Sequence, residues 1–304
     1  MTHPREQAAL LALTAATRRP WHEVSTLVED AGSATAVVDG SASVFDDKGA
    51  ELLRQLCERT TDEMIDRWRD TIDKTLGSLP GSHLLTVLDD EYPENLRKVF
   101  NHPPFLFVRG NLVEKDSRSV AVVGTRQASP EGRKRAYDLA VQLASRGVTV
   151  ISGMAAGIDT SAHTGALAGG GRTIAVMGTG IDIAYPKENT GLAEQIAKNG
   201  ALVSQFWPGA PPRASNFPLR NVVTSGIAVG TVVIEASATS GAKMQARLAL
   251  EHGKRVLLMD DLVMHEEWAQ RYSRRRGAEV VTSVEDILVV LDKERAVPKA
   301  LQLF

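Results

Sequence analysis

Apolar and polar positions follow two periods along this chain, and the change of period marks its organisation. Over residues 1–75 the apolar positions recur at helical spacing. Ala8, Leu11, Leu13 and Ala16 begin one face, and Trp21, Val24, Leu27 and Val28 form another that breaks at Ala31-Gly32-Ser33. Leu52, Leu53, Leu56, Met64, Ile65 and Trp68 predict one or two longer helices between Ala50 and Ile72. Leu79-Pro80-Gly81-Ser82 is the best boundary signal, because proline and glycine interrupt regular structure.

Short apolar runs take over beyond that boundary. Leu84–Leu88 and Pro103–Gly110 read as strands. Further strands are expected at Val120–Val123, Val148–Ser152, Thr173–Met177, Ala201–Ser204, Val229–Ile234, Arg255–Met259 and Glu279–Val281. Helical patterns such as Arg133–Arg146, Gly241–His252 and Ser283–Leu291 fall between or after them. Such alternation predicts right-handed crossovers and an α/β fold with a mostly parallel sheet and helices on both faces. The expected organisation is a small helical domain over residues 1–80, an α/β domain over 81–295 and a short tail over 296–304.

Composition narrows the function classes. The formal net charge of −2 argues against a generally basic coat, so nucleic acid would need a local patch. Arg213, Arg220, Lys243, Arg247, Lys254 and Arg255 outnumber Glu235 and Glu251 over one stretch, which would supply such a patch. The single cysteine, Cys57, forms no internal disulfide or multi-cysteine metal site, and fits a reducing, cytoplasmic setting. No apolar run is long enough to span a bilayer, and the first residues lack the pattern of a secretion signal. His265–Trp268 lacks the second histidine of a zinc-protease helix, so neither a metal nor a cofactor is expected.

The candidate chemistry stands at the strand ends. Gly124-Thr125-Arg126 closes one strand before a helix and suits an anion, with backbone N–H groups and a bidentate arginine. An ordinary turn with a solvated arginine is an equal alternative. Ser152-Gly153 and Gly157-Ile158-Asp159 form a second such loop, where Asp159 reads as a helix cap more readily than as a ligand. His163, one turn on, reads as a packing residue. Tyr185-Pro186-Lys187 and Phe217-Pro218-Leu219-Arg220-Asn221 interleave aromatic and cationic groups, with Trp207 and Arg213 nearby, as in a single-strand binding lip. Phe217 as a core plug and Arg220 as a carboxylate partner are the bland alternatives. Ser240-Gly241 opens a helix after a strand ending at Glu235, itself an acid, a base or an acceptor that orders loops.

These motifs, in this order, resemble the DprA/Smf DNA-processing proteins of bacteria. The likeness starts at Glu91-Tyr92-Pro93, runs through the Gly-Thr-Arg turn, SGMAAGID with His163, GGGRTIAVMGTGID with YPKEN, FPLRN and VVIEA with Ser240-Gly241, and ends near Leu291. It implies an extended Rossmann-like domain that binds single-stranded DNA, forms a homodimer and loads the RecA recombinase during transformation. The leading residues are similar in pattern to the family's sterile-alpha-motif or helix-hairpin-helix-like leader. Carried over by position, Arg126, Lys187, Phe217 and Arg220 line the strand. The backbone of Gly124, Ser152-Gly153 and Ser240-Gly241 holds phosphates, and Thr125, Arg213, Asn221 and Lys243 complete the interface. The chain departs from the family at Val222, where an arginine is usual, and at Ser240–Ala246, where Ser-Gly-Ser-Leu-Ile-Thr-Ala is usual. Gln205 and Met259-Asp260 are further departures, and no winged-helix tail is expected.

The resemblance implies a binder and not an enzyme. A nucleotide sensor of a phage-defence system is the second reading, motivated by the altered Ser240–Ala246 loop. An N-glycosidase using Arg126 and Glu235 is the third, weakened because Ala238-Thr239-Ser240-Gly241-Ala242 is not the Pro-Gly-Gly-x-Gly-Thr loop of such enzymes.

Overall fold

A computed structural model describes residues 3–44 and 46–296. Five helices come first: α1 (Pro4–Ala16), α2 (Trp21–Ala31), α3 (Ala34–Val38), α4 (Asp47–Arg59) and α5 (Asp62–Ser78). Thr61 ends the gap between α4 and α5 and caps α5, its hydroxyl accepting from the Met64 N–H. The apolar pattern from Ala50 to Ile72 is therefore two helices.

The strands are β1 (Ser82–Thr86), β2 (Phe105–Gly110), β3 (Ser119–Val123), β4 (Thr149–Ser152), β5 (Thr173–Val176), β6 (Ala201–Ser204), β7 (Gly230–Val233), β8 (Arg255–Met259) and β9 (Ala278–Val281). Among the described residues they form one sheet in the order β1-β2-β6-β5-β4-β3-β7-β8-β9. Only the β1–β2 and β2–β6 pairs are antiparallel. β3 to β7 are buried along their whole length, as parallel strands covered on both faces must be.

The covering helices are α6 (Glu94–Arg97), α7 (Pro130–Ser145), α8 (Ile158–Ala168), α9 (Thr190–Asn199), α10 (Asn216–Ile227), α11 (Gly241–Glu251), α12 (Asp260–His265), α13 (Glu267–Ser273) and α14 (Val284–Ala296). The chain steps from β3 through β4 and β5 to β6 in one direction, then returns through α10 to β7, beside β3. Right-handed crossovers put α7, α8 and α9 on one face and α10 and α11 on the other. This is the expected Rossmann-like, mostly parallel sheet. The short helices α12 and α13 carry no clear period in the sequence and were not expected from it.

The helical region packs on the antiparallel edge. Trp207, from the loop after β6, sits 5.0 Å from Trp21, 4.4 Å from Trp68 and 4.9 Å from Phe105, ring centre to ring centre. Gln7 Nε2 donates to the Leu84 carbonyl at 3.0 Å, and Ser25 Oγ to that of His102 at 2.9 Å. Glu29 joins Arg97 at 2.6 Å and His102 at 3.0 Å. The tail expected over 296–304 lies, beyond Ala296, outside the described residues.

Candidate nucleic-acid interface

The strand order reverses at β3, and a crevice opens at the carboxyl ends of strands on either side of such a point. β3 pairs with β4 on one side and β7 on the other. The three following loops are tied together: the Thr125 N–H donates to the Glu235 carbonyl at 2.7 Å, and the Ile158 N–H to the Thr125 carbonyl at 3.3 Å. Gly157 permits this closeness at φ +82°, since a Cβ there would stand 2.5 Å from the Thr125 carbonyl oxygen.

These loops, with the first turns of α10 and α11, surround an open pocket of about 410 Å³. Gly124, Thr125 and Arg126 line it from the loop after β3, and Gly153 from the loop after β4. Phe217, Arg220 and Asn221 line it from α10, and Ser240 and Gly241 from the start of α11. At its mouth the Arg126 guanidinium lies 4.6 Å from the centre of the Phe217 ring. Tyr185 extends this row, its ring 6.2 Å from Phe217. Lys187 follows two residues later at the start of a short 3-10 turn, exposed and outside the pocket lining.

Arg220 is a floor residue, not part of an exposed lip. It is 6% exposed, and its Nη1 donates to the Val176 carbonyl at 2.9 Å. Burial lowers its proton affinity, and the attraction of Asp159 opposes that shift. Burial likewise raises the Asp159 carboxyl, against the pull of Arg220. Arg220 thus does face a carboxylate while still lining the pocket.

Several expected phosphate contacts are already engaged. Ser152 is fully buried and its hydroxyl donates to the Val122 carbonyl at 2.7 Å. The Gly153 N–H donates to Asp159 Oδ2 at 3.1 Å, and the Ala155 N–H to the same oxygen at 3.3 Å. Asp159 therefore caps its own preceding loop and not the start of α8. Ser240 caps α11 by accepting from the Ala242 N–H at 3.2 Å. Gly241 holds the first helical position, where helix geometry supplies no partner for the N–H.

Other expected residues lie elsewhere. Lys243 donates to the Ala238 carbonyl at 3.1 Å and stands 6.0 Å from the Trp268 ring centre, outside the pocket lining. Arg213 is exposed on the loop before α10, also outside it. Trp207 packs inward against the helical region and contributes nothing to a lip. The cations counted between Arg213 and Arg255 do not gather into one patch. Arg247 pairs with Glu251, Arg255 with Glu279 and Glu294, and Lys254 donates to the Asn95 carbonyl.

Glu235 orders the loop after β3. Its Oε2 accepts from Ser129 Oγ at 2.7 Å, and the carboxylate also accepts the Ser129 N–H at 3.2 Å. His163 is fully buried, with Nδ1 2.6 Å from Thr173 Oγ1. That hydroxyl donates onward to the Val150 carbonyl, so Nδ1 carries the proton it gives to Thr173. Gln245, within the Ser240–Ala246 departure, and Thr224 also line the pocket, and neither was expected as a site residue. A glutamine in the apolar row of Ala242, Ala246 and Ala249 was the available signal.

The model of the DNA recombination-mediator protein A family matches residues 83–292. The DNA processing protein DprA of Streptococcus pneumoniae is 37% identical over 204 residues, 67% of this chain and 72% of that protein. The protein Smf of Escherichia coli is 38% identical over 224 residues, 72% of this chain and 60% of that one. The chain thus spans a smaller share of some relatives than of others. The X-ray structure of the S. pneumoniae protein superposes with a TM-score of 0.72 at 29% identity, covering 93% of this chain and 97% of that one. A Helicobacter pylori DNA processing protein A, described for its single-stranded DNA binding mode, has the same fold at 24% identity and a TM-score of 0.62, covering 70% of this chain and 96% of that one. Matched over most of its α/β region and superposing on a solved member across nearly its whole length, the chain belongs to the DNA recombination-mediator protein A family, the DprA/Smf DNA-processing proteins.

Proposed function

We propose that this protein binds single-stranded DNA at the pocket beside β3 and along the Arg126–Phe217–Tyr185 row. The observation that carries the reading is the Arg126 guanidinium stacked on Phe217 at the mouth of a pocket placed at the sheet's switch point. Stacking faces accept any base, and a cation beside them holds the phosphate that follows. Lys187 and Arg213 extend the path of the backbone beyond the pocket. The H. pylori neighbour described as binding single strands supports the same use of this fold.

The protein acts by binding. Glu235 is occupied by Ser129, and His163 is sealed from solvent, which leaves both poorly placed to exchange protons with a substrate. Transfer of the strand to RecA, assembly as a homodimer and a cytoplasmic location belong to the same proposal and rest on the family. Among the described residues no helix is long and apolar enough to cross a membrane.

The test is fluorescence anisotropy of a labelled oligothymidylate at increasing salt. Affinity should fall log-linearly with salt, with a slope of about −0.7 per phosphate neutralised. Arg126→Ala should weaken binding and flatten the slope. Absence of retention at low salt removes the reading.

A further inference from the structure

A chain of net charge −2 needs a local basic patch to hold nucleic acid, and the cations between Arg213 and Arg255 do not form one. The patch forms further along, at the end of α13 and in the turn into β9. Arg271, Arg274, Arg275 and Arg276 are all exposed there. Arg271 pairs with Glu267 at 3.3 Å, while the other three have no ion pair among the described residues. Glu279, beyond the turn, is taken by Arg255. A cation near the carboxyl end of a helix is favoured by the helix dipole, and Arg271, in the last turn of α13, already meets that need. Three more arginines in succession repel one another and add nothing to the fold, whereas a polyanion relieves them.

Contacts run from the pocket to this patch. Ser240 and Gly241 line the pocket at the start of α11, and Lys243 follows two residues on. Lys243 Nζ stands 6.0 Å from the Trp268 ring centre, and the Trp268 ring 5.3 Å from that of Tyr272. The Arg275 guanidinium lies 4.3 Å from the centre of the Tyr272 ring. A guanidinium laid over an aromatic ring thus occurs twice, as Arg126 on Phe217 at the pocket mouth and as Arg275 on Tyr272 in the patch. Both arginines are exposed, and their stacked, planar groups present N–H edges that fit a phosphate with two parallel bonds.

Tethering decides which polyanion. An acidic peptide meets the patch as a separate partner and has exposed contacts alone to hold it. A strand already held in the pocket brings its next phosphates to the patch at high effective concentration, so weak surface contacts suffice. We infer that α13 and the turn into β9 hold the phosphates of single-stranded DNA that leaves the pocket past Lys243. The inference rests on the single-strand reading and deepens it by adding a second, base-independent segment to the interface.

The experiment uses the full chain, a variant carrying Arg274→Ala, Arg275→Ala and Arg276→Ala, a second with lysine at the same three positions, and Arg126→Ala. Anisotropy is measured with oligothymidylates of about 8 and about 30 nucleotides, the first filling little more than the pocket, and with a labelled polyglutamate. The alanine variant should lose about tenfold or more in affinity for the long strand at low salt. Its salt slope for that strand should flatten by about 2, at about −0.7 per phosphate released from contact. Its affinity for the short strand should stay within about twofold of the parent's, and the lysine variant should keep the parent's slope, because the charge is retained. Equal long-strand affinity and slope in the alanine variant and the parent overturn the inference. An equal loss for both lengths, a lysine slope as flat as the alanine one, or polyglutamate bound as tightly as the long strand also overturns it. In each of these cases a loss of binding in Arg126→Ala leaves the single-strand reading standing. No binding of the parent to either strand removes both.

Discussion

Arg220 occupies the space that a side chain on Gly153 would need. A Cβ built at Gly153 overlaps the guanidinium at both terminal nitrogens and the carbon between them. Gly153 thus makes room for a buried cation that donates to the Val176 carbonyl and faces Asp159. Gly153→Ala should displace the guanidinium and cost about 1–3 kcal/mol, the usual penalty of overpacking a tight interior. Urea unfolding measures it, and an unchanged midpoint would mean the guanidinium has a second place to go.

Arg126 and Phe217 should act as one unit. Phe217→Ala is expected to cost about 1–3 kcal/mol of strand affinity through lost stacking. Because Arg126 lies over the same ring, the double variant should lose less than the sum of the singles, with a coupling of about 0.5–1 kcal/mol. Anisotropy titrations of all four proteins provide the cycle, and strict additivity would deny the shared contact.

Acidification should destabilise the protein before most carboxylates titrate. Burial pushes His163 down to about 3, helped by Arg220, and pushes His252 down to about 4, helped by Lys254. Both rings are neutral in the folded chain, while the unfolded chain takes up protons near the ordinary value of 6.5. Their contribution is complete above that value and is lost as pH falls from it toward about 4 for His252 and about 3 for His163. His252 meets Ser225 Oγ at 3.0 Å and Asn101 Oδ1 at 2.8 Å. In His252→Gln the fall in unfolding temperature between pH 7 and pH 5 should shrink. An equal fall in parent and variant would contradict it.

Trp207 should hold the helical region to the sheet. Trp207→Ala removes the ring shared by Trp21, Trp68 and Phe105 and should cost about 3 kcal/mol, the low end for a large aromatic because the ring is only partly buried. Limited proteolysis should then cut between α5 and β1 sooner than in the parent. An unchanged cleavage rate would place the anchoring elsewhere, for instance on the Glu29 pairs with Arg97 and His102.

The sheet was legible because each strand is a local signal. An apolar run such as Val120–Val123, bounded by glycine and followed by a helical period, identifies itself without reference to its neighbours. The loops at the strand ends were legible for the same reason, and Gly124, Thr125, Arg126, Phe217, Asn221 and Gly241 do meet in one pocket. α12 and α13 were not, being too short for a period to show. The direction of long side chains was not legible either. Lys243 and Trp207 sit in suggestive segments yet turn toward Ala238 and toward the helical region, and those partners are distant in the pattern that suggested a lip.

By itself the sequence determined the order of elements, the mostly parallel α/β sheet, the strand-end loops that meet at the pocket and, through ordered motifs, the family. Only the tertiary structure decided which polar groups remain free to act. Whether Gly153 offers its amide or Arg220 its charge depends on what lies opposite across the sheet, and Asp159 and Val176 had taken both. It also isolated Gln245, whose amide the folded pocket leaves buried without a partner. Period and turn chemistry are local, while hydrogen-bond satisfaction is a property of the closed three-dimensional set of donors and acceptors.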